Sequence, residues 1–187
     1  MKQKICVIFL CTLFFLQHPA FAQKARLSDI TVTNTHDGLE VVYLNVKGTF
    51  TEKMREAVLS GVPTTFLFYI TLQRKRRFWP NKEILNMEIT HTIKYHNLKK
   101  EFVISRSWEK NKSLLVRSFR EARKLMNEIH NLKIVLTPGI LEKGEHYQLK
   151  AKARLSKMTL PFDLHYILFF VSLWDFETDW YVMDLTY

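Results

Sequence analysis

From Thr64 to Leu72 the chain reads TTFLFYITL, almost unbroken in aromatic and β-branched residues. Such side chains lose rotamer freedom in a helix and pack well on a pleated surface, so this segment is a strand. The next apolar segment has strand periodicity as well. Between Ile84 and Tyr95, residues Met87, Ile89, His91, Ile93 and Tyr95 fall on one face, with Glu88, Thr90, Thr92 and Lys94 on the other. Asn97 to Lys100 is a turn, and Phe102 to Ile104 a returning strand.

The same signals recur on either side. Leu27, Ile30 and Val32 begin a strand that ends at Asn34-Thr35-His36-Asp37-Gly38, and the Asp-Gly pair favours a hairpin into Leu39 to Val46. Leu132 to Leu136 and Tyr147 to Leu155 are further strands, separated by a Pro138-Gly139 break. Two short helices interrupt them. Thr51 caps the first, Glu52 suits its positive end, Gly61 and Pro63 stop it, and Met54, Val58 and Leu59 are its core residues. Ser118-Phe119-Arg120-Glu121 has the spacing of a capping box for the second, whose apolar stripe is Phe119, Ala122, Leu125, Met126 and Ile129. The expected fold is mainly β: one antiparallel β-sandwich-like domain with two short inserted helices, α+β being the alternative.

The N-terminus reads as an export signal. Lys2 and Lys4 precede a dozen apolar residues, Ile5 to Leu16, and Ala20-Phe21-Ala22 puts small side chains at the cleavage positions Ala20 and Ala22. The apolar run is shorter than the roughly 20 residues a membrane helix needs. Residues 1–22 are therefore expected to be removed, an uncleaved N-terminal anchor being the alternative, leaving one β-rich domain over residues 23–187 in the periplasm or cell envelope. Both cysteines, Cys6 and Cys11, go with the signal, so disulfides, a thiol nucleophile and Cys-ligated metal are excluded from the mature chain. With Lys2 and Lys4 gone from 28 basic residues and all 18 acidic ones kept, the mature net charge is about +8. An exported basic protein meets anionic lipid or acidic proteins rather than nucleic acid.

No catalytic constellation stands out. Ser60-Gly61 reads as a helix end rather than a nucleophile turn, and five glycines leave no phosphate-binding loop. The mature histidines lack a metal-binding spacing; His91 and His96 belong to opposite strand faces. Asp175, Glu177 and Asp179 alternate between Trp174 and Trp180. They form an acidic corner that reads as turn-capping, although on a strand three such carboxylates would suit a hard cation. No metal and no cofactor is expected. Tyr166 to Leu173 is a short apolar run, too brief for a transmembrane helix; Ile167 to Leu173 is core or an interfacial finger, with core the favoured reading.

The binding candidate is a turn: Arg74, Lys75, Arg76, Arg77 and Lys82 surround Phe78 and Trp79. Cations beside exposed aromatics suit a membrane interface or an acidic protein surface.

Several of these segments, taken in order, resemble a bacterial family catalogued as domain of unknown function 4390. They are Thr49-Phe50-Thr51 leading through a helix to Ser60-Gly61-Val62-Pro63, the turn with Phe78 and Trp79, the Ser118-Phe119 helix start, and Ser172-Leu173-Trp174-Asp175-Phe176-Glu177-Thr178-Asp179-Trp180. The usual family ending has Ser where Thr178 stands, which keeps a hydroxyl. The resemblance implies an exported Gram-negative envelope protein, encoded in some cases beside a sensor histidine kinase, and brings no catalytic residue set. The expected role is a non-enzymatic binding or adaptor module for a protein or anionic lipid surface. The alternatives are a metal-dependent or hydrolytic periplasmic enzyme and a sensory accessory domain of a histidine kinase system.

Overall fold

The computed structural model describes residues 25–36, 38–109, 112–156 and 176–187. Ala20, Ala22, Asp37, the run Ile167 to Leu173 and Asp175 lie outside them. Nine strands and two helices follow in the order β1 (Arg26–Thr35), β2 (Gly38–Lys47), α1 (Glu52–Leu59), β3 (Thr64–Arg74), β4 (Lys82–His96), β5 (Glu101–Arg106), β6 (Ser113–Val116), α2 (Phe119–Asn127), β7 (Glu128–Val135), β8 (His146–Leu155) and β9 (Tyr181–Thr186) among these residues. The protein is mainly β, as its sequence implies.

The strands form two sheets, both antiparallel throughout. Six strands run in the order β6-β5-β4-β3-β8-β9, and three in the order β1-β2-β7. The TTFLFYITL segment lies inside the larger sheet, paired with β4 on one side and β8 on the other. Its Phe66, Phe68, Ile70 and Leu72 are fully buried, and outward-facing Leu67 and Thr71 are largely covered too. Inward residues of both sheets and of the two helices join in one apolar cluster.

In the smaller sheet, the inward apolar residues skip a step on all three strands, at the same level on β2 and β7 and one inward pair further along on β1. Inward residues go from Leu27 to Ile30 on β1, from Val41 to Leu44 on β2 and from Ile129 to Leu132 on β7. Strict alternation would turn half of each strand outward. Register shifts between Ser28 and Val32, with Asp29 at φ 55° and Asn131 at φ 51°, absorb the extra residue and keep the apolar face inward.

Gly38 begins β2 opposite Thr35. Its φ is 147°, and a Cβ there would lie 2.2 Å from the Ile134 carbonyl oxygen. Close approach to β7, on the far side from the hairpin, is therefore what demands a glycine here.

Helix α1 is built as its sequence implies. The Thr51 hydroxyl accepts from the Met54 N–H at 3.2 Å, and Met54, Ala57 and Val58 are buried. Gly61, at φ 89°, donates to the Val58 carbonyl, and the Val62 N–H goes to Ala57. Helix α2 departs from expectation twice. Ser118 has N-cap geometry, but its side chain makes no capping hydrogen bond, so the capping box is not formed. The helix also ends at Asn127 and passes directly into β7, which begins at Glu128 rather than at Leu132. Ile129 is buried, but on a strand: a three-residue step from Met126 keeps it inward in either conformation. Strands β6 and β9 are additions to the expected set. Among the described residues, no helix is long and apolar enough to cross a membrane.

Candidate contact surface at the β3–β4 hairpin tip

Strands β3 and β4 run to an Arg74–Lys82 pair, and residues 75–81 form the tip between them. The five cations that crowd this turn in sequence do not share one environment. Arg74 grips two carboxylates of the β7–β8 connection: its Nη2 donates to Glu142 at 3.0 Å and its Nε to Glu145 at 3.3 Å. The bonds to Glu142 come first in raising the Arg74 pKa further above its ordinary value. Lys75 donates to Asp184 of β9 at 3.0 Å, and its backbone N–H to the His146 carbonyl at 2.9 Å. The Lys75 ammonium, and next the Gln148 amide, hold the Asp184 carboxyl below the usual carboxylate range. The root of the hairpin is thus tied to β8 and β9.

Beyond that root the charges are free. Arg76, Arg77 and Lys82 are exposed, and none has an acidic partner among the described residues. The Asn81 side chain accepts from the Arg76 N–H at 3.4 Å across the loop. The Arg77 guanidinium lies 5.6 Å from the Phe78 ring centre, a cation–π distance. Phe78 and Trp79 are 84% and 75% exposed, whereas most other large apolar side chains among the described residues are buried or half-buried. A groove of about 680 Å³ opens beside the tip, lined by Lys75, Arg76, Arg77, Glu145, His146 and Asp184 together with the end of β9. Its two carboxylates are those already engaged by Arg74 and Lys75, so its unbalanced charge is positive.

The acidic residues near the C-terminus do a different job. Glu177 bridges to Arg154 and makes an ion pair with Lys152, which lowers its pKa. Lys152 in turn sits over the Trp180 ring at 5.5 Å. Between them, Thr178 is 2% exposed, and its hydroxyl accepts from the Ala153 N–H at 3.0 Å while its own N–H donates to the Ala153 carbonyl. That bond gives the hydroxyl at this position a purpose: it satisfies a buried amide at the ladder's edge. Asp179 has interactions of its own. Among the described residues no three His, Cys, Asp or Glu side chains gather in metal-binding geometry.

One buried polar pair was not expected. His91 and Arg106 are cross-strand neighbours on β4 and β5, turned toward the core. The His91 Nδ1–H donates to the Met126 carbonyl at 2.9 Å and Arg106 Nη2 to Leu125 at 3.0 Å, so together they take up carbonyls at the C-terminal end of α2. His91 lies between the rings of Phe68 and Trp108, and Arg106 also pairs with Glu109. Burial first, then the Arg106 charge, push the His91 pKa down to about 3. The ring is neutral and structural at ordinary pH. The one sequence sign of Arg106 burial was its place two residues beyond inward-facing Ile104.

Residues 22–184 match the family model described as a domain of unknown function, DUF4390. The chain belongs to that family. No curated protein and no solved structure matches this DUF4390 chain. The match spans both sheets and the hairpin tip alike.

Proposed function

We propose that this DUF4390 protein is an exported cell-envelope protein that works as a non-enzymatic binding or adaptor module, with the β3–β4 tip as its contact surface. One observation carries the reading. Two large aromatic side chains stand 84% and 75% exposed, flanked by three cations without acidic partners among the described residues, on a hairpin whose root is tied down by Arg74 and Lys75. Leaving so much apolar surface in water is unfavourable, and contiguous exposed apolar patches mark interaction sites. The ties at the root reduce what binding must spend on ordering the hairpin. Export rests on the Lys2/Lys4 and Ile5 to Leu16 pattern with its Ala20 and Ala22 cleavage positions.

The test is a photo-crosslinking residue placed at position 79 in the producing cell, compared with one at position 98. Leu98 is fully exposed in the β4–β5 turn beside Lys99 and Lys100, at the opposite end of β4, roughly 45 Å away by strand rise. A discrete adduct, to a protein or to lipid, should form at position 79 and be lost in Arg76→Ser/Arg77→Ser. Identical adducts from positions 79 and 98, or none at position 79, would refute the assignment.

A further inference from the structure

Resting on that reading of the tip, we infer that its partner is a bilayer leaflet bearing anionic phosphate headgroups, into which Phe78 and Trp79 insert. The shape of the contact argues for lipid over protein. A stable protein interface takes about 20 to 30 residues a side, whereas this surface is a seven-residue turn between β3, which is paired with β8 up to Arg74, and β4. The two aromatics are adjacent near the middle of the turn and are 84% and 75% exposed. Tryptophan is well suited to headgroup depth, having an apolar body and a polar N–H.

The charges are arranged to match. Arg76 and Arg77 precede the aromatics and Lys82 follows them, so unpaired cations stand one step back on both sides of the wedge. Each such cation near an anionic leaflet strengthens attachment, and guanidinium groups take phosphate oxygens two at a time. Three carboxylates beside the tip are engaged, Glu142 and Glu145 by Arg74 and Asp184 by Lys75 and Gln148, which leaves exposed Glu83, next to Lys82, against the three cations. Beside the wedge, the 680 Å³ groove edged by Arg76, Arg77 and His146 has room for a headgroup. The His146 Nδ1 is bonded to the Thr186 hydroxyl at 3.1 Å, which fixes the ring at the groove's edge.

The experiment uses the protein as the cell exports it, mixed with phosphatidylcholine vesicles that either contain or lack phosphatidylglycerol. Wild type should float with the anionic vesicles, and Arg76→Ser/Arg77→Ser should bind roughly 30-fold more weakly at low salt, about a factor of five per cation. Phosphatidylcholine brominated in its upper acyl chain should quench the tryptophan emission of wild type more than that of Trp79→Phe. Equal flotation of wild type and the arginine variant would overturn the inference. So would flotation with equal quenching in wild type and Trp79→Phe, because that is adsorption without insertion. Absence of flotation overturns it as well; a position-79 adduct to a protein would then keep the broader reading and reject lipid.

Discussion

Acid should weaken this protein through His91 before it weakens it through carboxylates. In the unfolded chain the imidazole takes a proton near pH 6.5, whereas in the folded state it stays neutral until about pH 3. Between those values the unfolded state binds more protons, so stability rises with pH across the window and is lost as pH falls through it. Each pH unit traversed well inside the window is worth about 1.4 kcal/mol, and the whole gap about 5 kcal/mol. Between pH 7.5 and 5.0 the loss comes to about 2 kcal/mol, and this part is set almost wholly by the unfolded value. The lowered carboxylates Asp29, Glu177 and Asp184 contribute above the ordinary carboxylate range and fade only below it, in a more acidic window.

The substitution that isolates this effect is His91→Phe. It keeps a ring between Phe68 and Trp108, each 4.7 Å away centre to centre, and removes the titration. It also leaves the Met126 carbonyl without its donor, which costs roughly 1–3 kcal/mol at every pH. Urea unfolding at pH 7.5 should therefore find the variant less stable than wild type. At pH 5.0 the gap should narrow by about 2 kcal/mol, since only wild type pays for keeping the imidazole neutral. Parallel pH dependences for the two proteins would show that His91 is not held neutral, and the reasoning would fail.

Other substitutions separate close approach, hydrogen bonding and charge. Gly38→Ala should destabilise by roughly 3 kcal/mol or more, because its Cβ meets the Ile134 carbonyl, while Gly139→Ala, at positive φ but in open space, should cost about 1 kcal/mol; urea midpoints compare them. Thr178→Val should cost about 1–2 kcal/mol and speed amide exchange at Ala153, with Thr178→Ser restoring protection. Glu142→Gln with Glu145→Gln should leave the thermal midpoint nearly unchanged, since exposed pairs contribute little, yet raise amide exchange at Lys75 as the hairpin root loosens.

Local pattern made most of the large sheet legible in sequence. The apolar run of β3, the alternation of β4 and the alternation of β8 each carry their own evidence, because a strand buried on one face must repeat every two residues. The same rule hid the break in the small sheet. A three-residue step such as Val41 to Leu44 is ambiguous in one strand; β7 makes the same step opposite it without a register shift, and only the mismatch with β1 produces the bulges. Strand β6 was too short to declare a period. In β9, Tyr181, Met183 and Leu185 do alternate, but the preceding acidic and aromatic residues drew attention to a corner instead of a strand. Ser118 and Glu121 had capping-box spacing, and spacing alone does not supply the bond.

The tip shows the sharpest limit on what a linear pattern can say. Sequence gathers five cations around Phe78 and Trp79, and nothing local distinguishes one from another. Their division depends on carboxylates 68 to 109 residues away, which β8 and β9 bring alongside the end of β3. Arg74 and Lys75 are thereby committed to holding the hairpin, and Arg76, Arg77 and Lys82 are left to face a partner. Removing all four consecutive basic residues would confuse these roles, because a loosened hairpin and a discharged one would bind equally poorly. Glu142→Gln/Glu145→Gln loosens the root while leaving every cation in place, whereas Arg76→Ser/Arg77→Ser discharges the contact and leaves the root tied. If attachment is electrostatic, the second should lose affinity steeply and lose its salt dependence with it. The first removes two negative charges and releases Arg74, so it should keep or steepen the salt dependence, and its loss of affinity at high salt reads the cost of reordering the loop.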